Sequence, residues 1–102
     1  MLLPEIRYDG PPVHVYRGTT ANERRRHLYG FFWTADRGVA ERFAEQHRNP
    51  DGAVLLETVA DPSAMLFIRE HIEGYYEEEE YILDPYKLTQ VKVLMRLPPD
   101  RP

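Results

Sequence analysis

Short runs rich in β-branched and aromatic residues, separated by Gly, Pro and Asp, predict several strands in this chain. Residues 13–16 (Val-His-Val-Tyr) favour a strand that breaks at Gly18 and the two threonines after it. If side chains alternate along this strand, Val13, Val15 and Arg17 share one face. Further strands are predicted over residues 29–34, 53–60, 79–83 and 88–97, and residues 65–68 are ambiguous.

One segment has the period of an amphipathic helix, with charged residues on the faces between its apolar positions. Those positions are Val39, Ala40, Phe43, Ala44 and His47. Thr34 or Asp36 can cap the N-terminus of this helix, and residues 49–52 (Asn-Pro-Asp-Gly) end it. Residues 21–27, which include three consecutive arginines, are predicted to be either a loop or a short helix.

Five or six short strands around one clear helix predict the α+β class. At 102 residues the chain can bury one modest core, so we expect a single domain over residues 1–102. Residues 1–12 are expected to form an irregular lead-in and residues 98–102 a proline-rich tail.

Composition and charge narrow the function classes. Without cysteine, the chain can hold no disulfide framework, thiolate zinc site or cysteine nucleophile. A net charge of −4 and a pI of about 5.5 argue against a general nucleic-acid binder, because such a protein presents a basic face to the phosphates of the nucleic acid. No apolar run approaches the length of a membrane span and the N-terminus lacks the layout of a signal peptide. We therefore expect a cytoplasmic protein with no membrane partner.

The chain lacks the residues that several common catalytic mechanisms require. The only serine, Ser63, follows Asp61-Pro62 in a predicted turn and has no nucleophile elbow around it. The four histidines are scattered, with none of the pair spacings that metal sites favour, so no metal is expected. No glycine-rich loop leads into a helix, which excludes a Walker or Rossmann phosphate cradle.

Three segments remain as candidates for chemistry, each with a purely structural alternative. Arg17, followed by Gly18, can hold a diphosphate or ribose through its forked donors, or can pair with a carboxylate. The aromatic residues 31–33 can wall a slot for a planar ring, or can simply fill the core. Glu78 and Glu80 would share a strand face about 7 Å apart, or can belong to a solvated acidic edge.

The order of these segments resembles the ADP-ribosyltransferase superfamily in its compact Arg…Ser/Thr…Glu form. In that family an arginine ends the first core strand, an aromatic and Ser-Thr-Ser lead into a helix, and Glu-x-Glu opens a late aliphatic strand. The similar segments here are Val15-Tyr16-Arg17-Gly18-Thr19, Gly30-Phe31-Phe32-Trp33-Thr34-Ala35-Asp36, Ala40-Glu41-Arg42-Phe43-Ala44 and Glu78-Glu79-Glu80-Tyr81-Ile82-Leu83. The resemblance spans residues 13–97. It extends to small phage and prophage proteins with Gly-x-x-Trp-Thr in place of the full Ser-Thr-Ser.

The resemblance implies a mixed, mostly antiparallel split sheet and a site for NAD as substrate, without a metal. Arg17, with Gly18 beside it, would grip a phosphate or the nicotinamide ribose of NAD. Thr34 matches the middle of Ser-Thr-Ser, a position that supports the fold of the site. Phe31 or Trp33 would stack on the nicotinamide.

Glu80 matches the catalytic glutamate, which bonds the nicotinamide-ribose hydroxyl and stabilises the oxocarbenium-like state as nicotinamide leaves. Glu78 matches the second acid of Glu-x-Glu, which helps to activate the nucleophile in relatives that modify side chains. Because four glutamates stand in a row, Glu79 is the second choice for the catalytic position.

The function implied is that of an NAD-dependent mono-ADP-ribosyltransferase or NAD glycohydrolase. Its acceptor would be a protein, with a nucleic acid as the alternative, and its role that of a toxin, a phage effector in the host-cell cytoplasm or a housekeeping factor. Trp33 and Ala35 replace the outer two serines of Ser-Thr-Ser, and Thr34 or Tyr76 would then position the glutamate. A second reading is a catalytically degenerate copy of the fold that binds or inhibits a macromolecular partner. A glycosidase is less favoured, because Glu78 and Glu80 are too near each other to act from opposite faces of a sugar.

Overall fold

The structure is a computed structural model that describes residues 11–69 and 80–100. Within these ranges, the chain forms one six-stranded sheet in the order β4-β5-β2-β1-β3-β6, and every neighbouring pair is antiparallel. The strands are β1 (Val13–Thr20), β2 (Phe32–Thr34), β3 (Ala53–Ala60), β4 (Met65–Arg69), β5 (Glu80–Leu83) and β6 (Lys92–Leu97). The helices are α1 (Ala21–Arg26) and α2 (Arg37–Gln46), with short 3-10 turns at Pro62–Ala64 and Pro85–Lys87. The α+β prediction is confirmed.

Strand β1 is longer than the sequence predicts. It was expected to break at Gly18, but it continues to Thr20 because β3 pairs with it along its whole length, from Val13 opposite Ala60 to Thr20 opposite Ala53. Gly18 is required here by close packing and not by a turn. A Cβ at Gly18 would overlap the backbone of α2, so this glycine lets the helix lie directly against the strand.

Strand β2 is shorter than predicted, and part of it is not buried. Residues 29–34 were expected to form one buried strand, but the strand covers only Phe32–Thr34. Phe31 and Phe32 are 50% and 59% exposed, whereas Trp33 and Thr34 are buried. The chain turns before β2, where the indole Nε1 of Trp33 donates a 3.0 Å hydrogen bond to the Gly30 carbonyl.

Both helices begin at capped N-termini. Residues 21–26 form the short helix that the sequence allowed, with the Thr20 hydroxyl accepting from the Glu23 amide. Asp36 caps α2 by accepting from the Val39 amide, which settles which of the two candidates does so. Of the predicted apolar face of α2, three residues are buried and two are not. Val39, Ala40 and Ala44 are buried, whereas Phe43 and His47 are exposed.

The two faces of the sheet are covered differently. Residues opposite each other in an antiparallel pair share a face, so the pairing assigns each strand position. One face carries the hydrophobic core, formed by Val15, Trp33, Val54, Leu56, Ala60, Met65, Tyr81 and Leu83. The other face carries Gly18, Leu55 and Thr34, and α2 packs across its β1 and β3. We refer to these as the core face and the helix face.

Strands β4 and β5 are joined to the rest of the sheet through β2, and turns fix their ends. Asp61 caps the turn before β4 by accepting from the Ser63 amide, and the hydrogen bonds from Ser63 hold the pKa of Asp61 below its usual value. Strand β5 is described from Glu80, and Glu79, where the strand was predicted to begin, lies outside the described residues. Strand β6 begins at Lys92, four residues later than predicted. In the described part of the chain, no helix is long and apolar enough to cross a membrane.

Candidate functional site

Three segments that are distant in sequence meet on three adjacent strands. Tyr16 of β1 lies opposite Thr34 of β2, and Thr34 lies opposite Glu80 of β5. Arg17 is the next residue along β1. The register therefore brings the Arg17, Thr34 and Glu80 positions to neighbouring strands at one place in the sheet, with the Thr34 and Glu80 positions on the helix face and the Arg17 position, opposite Leu56, on the core face.

A groove of about 320 Å³ opens beside this place, between β1, β2 and α2. Strands β1 and β2 pair at a single residue pair, Tyr16 with Thr34, so the sheet parts beyond it. Gly18 contributes no side chain to fill the gap, and α2 forms the opposite wall. The groove is lined by Tyr16, Arg17, Gly18, Thr19, Phe32, Trp33, Thr34, Val39, Ala40, Phe43 and His47.

Arg17 bridges the gap between the two strands. Its Nε and Nη2 each donate a 2.8 Å hydrogen bond to Glu23 of α1, and its Nη1 donates to the Phe32 carbonyl at 2.9 Å. The carboxylate pairing that the sequence left open as the structural alternative is therefore present. A Cβ at Gly30 would overlap the guanidinium, so Gly30 lies directly against the Arg17 side chain and allows it this position.

Thr34 connects the end of β2 to the start of α2. It is buried, and its hydroxyl accepts a 3.0 Å hydrogen bond from the Asp36 amide. Asp36 in turn caps the helix. The threonine thus helps to set where α2 begins, and with it the wall of the groove.

The stacking role predicted for Trp33 does not agree with its position. The indole is 2% exposed, belongs to the core and makes an edge-to-face contact with Tyr29. Trp33 lies opposite Tyr81 on the core face, so its ring fills the core, and although the residue lines the groove almost none of its surface is exposed there. Phe31, the other predicted stacking residue, is half exposed but does not line the groove.

The aromatic side chains that do line the groove come from neighbouring positions. Phe32 alternates with Trp33 along β2, and Phe43 is 46% exposed on α2. His47 follows Phe43 by one helical turn, and its Nδ1 lies 2.7 Å from the Phe43 carbonyl oxygen. The helical spacing identified Phe43 and His47 only as part of an apolar face. The signal that sequence reasoning missed is that Ala40 and Ala44 are the small residues through which the helix meets Gly18.

The acidic positions are described only in part. Glu80 is placed by its backbone at the start of β5, whereas Glu78, Glu79 and Tyr76 lie outside the described residues. Among the described residues, no group of three or more His, Asp or Glu side chains is arranged to hold a metal ion. Of the residues that line the groove, Arg17 and His47 are the ones with basic side chains, and Glu23 neutralises the first.

Comparison with known proteins identifies no family for this chain. No family model matches the chain, and no curated protein and no solved structure is significantly similar to it.

Proposed function

We propose that this protein is an NAD-dependent mono-ADP-ribosyltransferase, or an NAD glycohydrolase that uses the same groove. The observation that supports the proposal is the register across β1, β2 and β5, which sets Tyr16, Thr34 and Glu80 side by side. The three segments that resemble the family in sequence order therefore also converge in space. Their separation along the chain does not by itself require these segments to meet.

The groove has suitable walls for a nucleotide with a planar ring. Its volume of about 320 Å³ lies at the lower end of the range for small-molecule sites. Phe32 and Phe43 offer partly exposed aromatic rings, which bind a planar ring by stacking or edge contacts. Thr34 and the backbone beside Gly18 add polar groups. We expect the nicotinamide end of NAD to bind between these walls.

The reaction needs a fixed negative charge beside the ribose. As the bond between nicotinamide and ribose breaks, positive charge develops on the ribose, and a carboxylate held nearby lowers the barrier electrostatically. We propose that Glu80 supplies this charge, because its position adjoins Thr34 in the register. The ADP-ribose would then pass to a protein acceptor or to water, and a nucleic-acid acceptor is the alternative.

A second candidate function has its own supporting observation. Arg17 is already bonded to Glu23 through two donors, and Trp33 and Ala35 stand where the family has serines. These features favour a degenerate copy of the fold that binds a macromolecular partner without turnover. The exposed Phe31 and Phe32 would then be contact residues.

Incubation with NAD separates the two candidates. We expect the purified protein to release nicotinamide, and Glu80→Gln to abolish release while the melting temperature stays close to that of the wild type. Glu41→Gln is the matched control, because it removes the same charge from an exposed pair with Arg37 on α2. If the wild type neither releases nicotinamide nor shifts its melting temperature in millimolar NAD, the transferase proposal is wrong and the binding module is favoured.

A further inference from the structure

The Glu23 carboxylate accepts two hydrogen bonds from the Arg17 guanidinium, in the geometry that a bound phosphate would adopt. Nε and Nη2 donate in parallel to Oε2 and Oε1, both at 2.8 Å. The two side chains are 19% and 16% exposed, so the pair is largely shielded from water. Arginine presents the same fork of donors to carboxylates and phosphates. A phosphate that approached this edge of Arg17 would therefore have to displace Glu23.

Glu23 has a second potential hydrogen-bond partner close by, at the N-terminus of α1. It is the third residue after the N-cap Thr20, whose hydroxyl accepts from the Glu23 amide at 3.2 Å. A glutamate at this position of a capping box reaches back to the amide of the N-cap residue. The N-terminus of a helix also favours a negative charge. We therefore expect Glu23, when it leaves Arg17, to accept a hydrogen bond from the Thr20 amide.

Arg17 keeps contacts that do not depend on Glu23. Its Nη1 donates to the Phe32 carbonyl at 2.9 Å, and the absence of a side chain at Gly30 leaves room for the guanidinium beside that residue. These contacts hold the arginine at the edge of the groove. If Glu23 withdraws, two donors become available to a ligand while the guanidinium stays in position.

We propose that Glu23 is an internal competitor for the anion site at Arg17 and so sets the affinity of this arginine for ligands with a diphosphate. This inference rests on the proposed function for the identity of the ligand, NAD. Competition itself concerns the diphosphate group alone. Glu23 is accordingly a specificity-determining residue: it lowers the occupancy of Arg17 by weakly bound phosphates, and a ligand must gain enough from its other contacts to displace it.

The test measures the affinities of inorganic pyrophosphate and of NAD by titration calorimetry. Glu23→Gln keeps the size of the side chain but removes its charge, and we expect both ligands to bind about tenfold more tightly, which corresponds to about 1.4 kcal/mol. Glu41→Gln makes the same change in net charge at an exposed pair on α2 and should leave both affinities within a factor of two or so. Adding Arg17→Lys to Glu23→Gln should remove the gain, because lysine lacks the fork.

The outcomes separate this inference from the proposed function. If Glu23→Gln melts cooperatively but binds pyrophosphate no more tightly than the wild type, the inference is wrong, even if NAD binds both proteins. If pyrophosphate affinity rises while NAD binds neither protein, the competition is established and the proposed function fails. Should Glu23→Gln not fold, Glu23→Asp replaces it in the titration. The shorter carboxylate cannot keep both bonds, so an increase in pyrophosphate affinity is again expected, and its absence overturns the inference.

Discussion

Consecutive residues of β2 lie on the two faces of the sheet and meet very different surroundings. Trp33 is on the core face, opposite Tyr81, and its ring is almost completely buried. Thr34, the next residue, is on the helix face opposite Tyr16, beside the groove. The core face is filled by large side chains. The helix face has small residues where α2 meets β1, and space remains beside that contact.

This difference predicts that stability and ligand binding depend on different residues. Packing on the core face leaves the Trp33 side chain with almost no exposed surface for a ligand to contact. On the helix face, Gly18 meets Ala40 and Ala44 closely, while Phe43 and His47 extend over the parted strands. Substitutions on the core face should therefore affect stability, and substitutions at the groove should affect binding.

We expect the largest loss of stability when a large side chain is removed from the core face. Trp33→Ala should destabilise the protein by about 3–5 kcal/mol, because it removes a fully buried ring and leaves a cavity. Phe43→Ala is the matched change at the groove and should cost about 1 kcal/mol or less, since the side chain is half exposed. Urea unfolding followed by circular dichroism measures both. Equal losses from the two substitutions would show that the faces do not differ in this way.

A smaller effect is expected where α2 meets β1. Gly18→Ala should cost about 1–3 kcal/mol, because the added methyl group meets helix backbone and not a movable side chain. Gly38→Ala serves as the control within α2, where the nearest atom to a new Cβ is the Asp36 carboxylate at 3.2 Å. It should change stability by no more than about 1 kcal/mol, and helix propensity favours alanine. If Gly18→Ala is tolerated equally well, the close contact of α2 with β1 is not as described.

The smallest of these effects concerns the start of α2. Asp36→Ala removes the cap from the Val39 amide and should cost about 1 kcal/mol. Asp51→Ala removes the same charge from an exposed turn before β3 and should stay within about 0.5 kcal/mol of the wild type. Thermal unfolding of the two variants provides the comparison. A larger loss in Asp51→Ala than in Asp36→Ala would contradict the assignment of the cap.

The sequence predicted those elements whose local pattern agrees with their packing. The bounds of β3 match the prediction because both of its faces are buried along most of its length. The buried part of α2 was predicted for the same reason, and Asp36 was one of the two caps that the sequence allowed. The extension of β1 past Gly18 was missed because it depends on pairing with β3, which no local pattern shows.

The sequence indicated which segments could contribute to a candidate site, but not the contacts that their side chains make. Composition could not show which aromatic of residues 31–33 faces the core, because that depends on the register of β2 with β5. Nor could it show that Arg17 bonds Glu23, since the partner comes from a helix whose existence was itself an open alternative. The groove arises from the single pairing of β1 with β2, which is a property of the assembled sheet.

The most direct test of the account is a titration of the isotope-labelled protein with NAD, followed through its backbone amide resonances. We expect the largest shifts at Gly18, Thr34 and Phe43, around the groove, and small shifts at core-face residues such as Leu56 and Leu83. Shifts that concentrate on the core face or the arginines of α1, or no shifts at all in millimolar NAD, would contradict the claim that the groove beside Thr34 binds NAD.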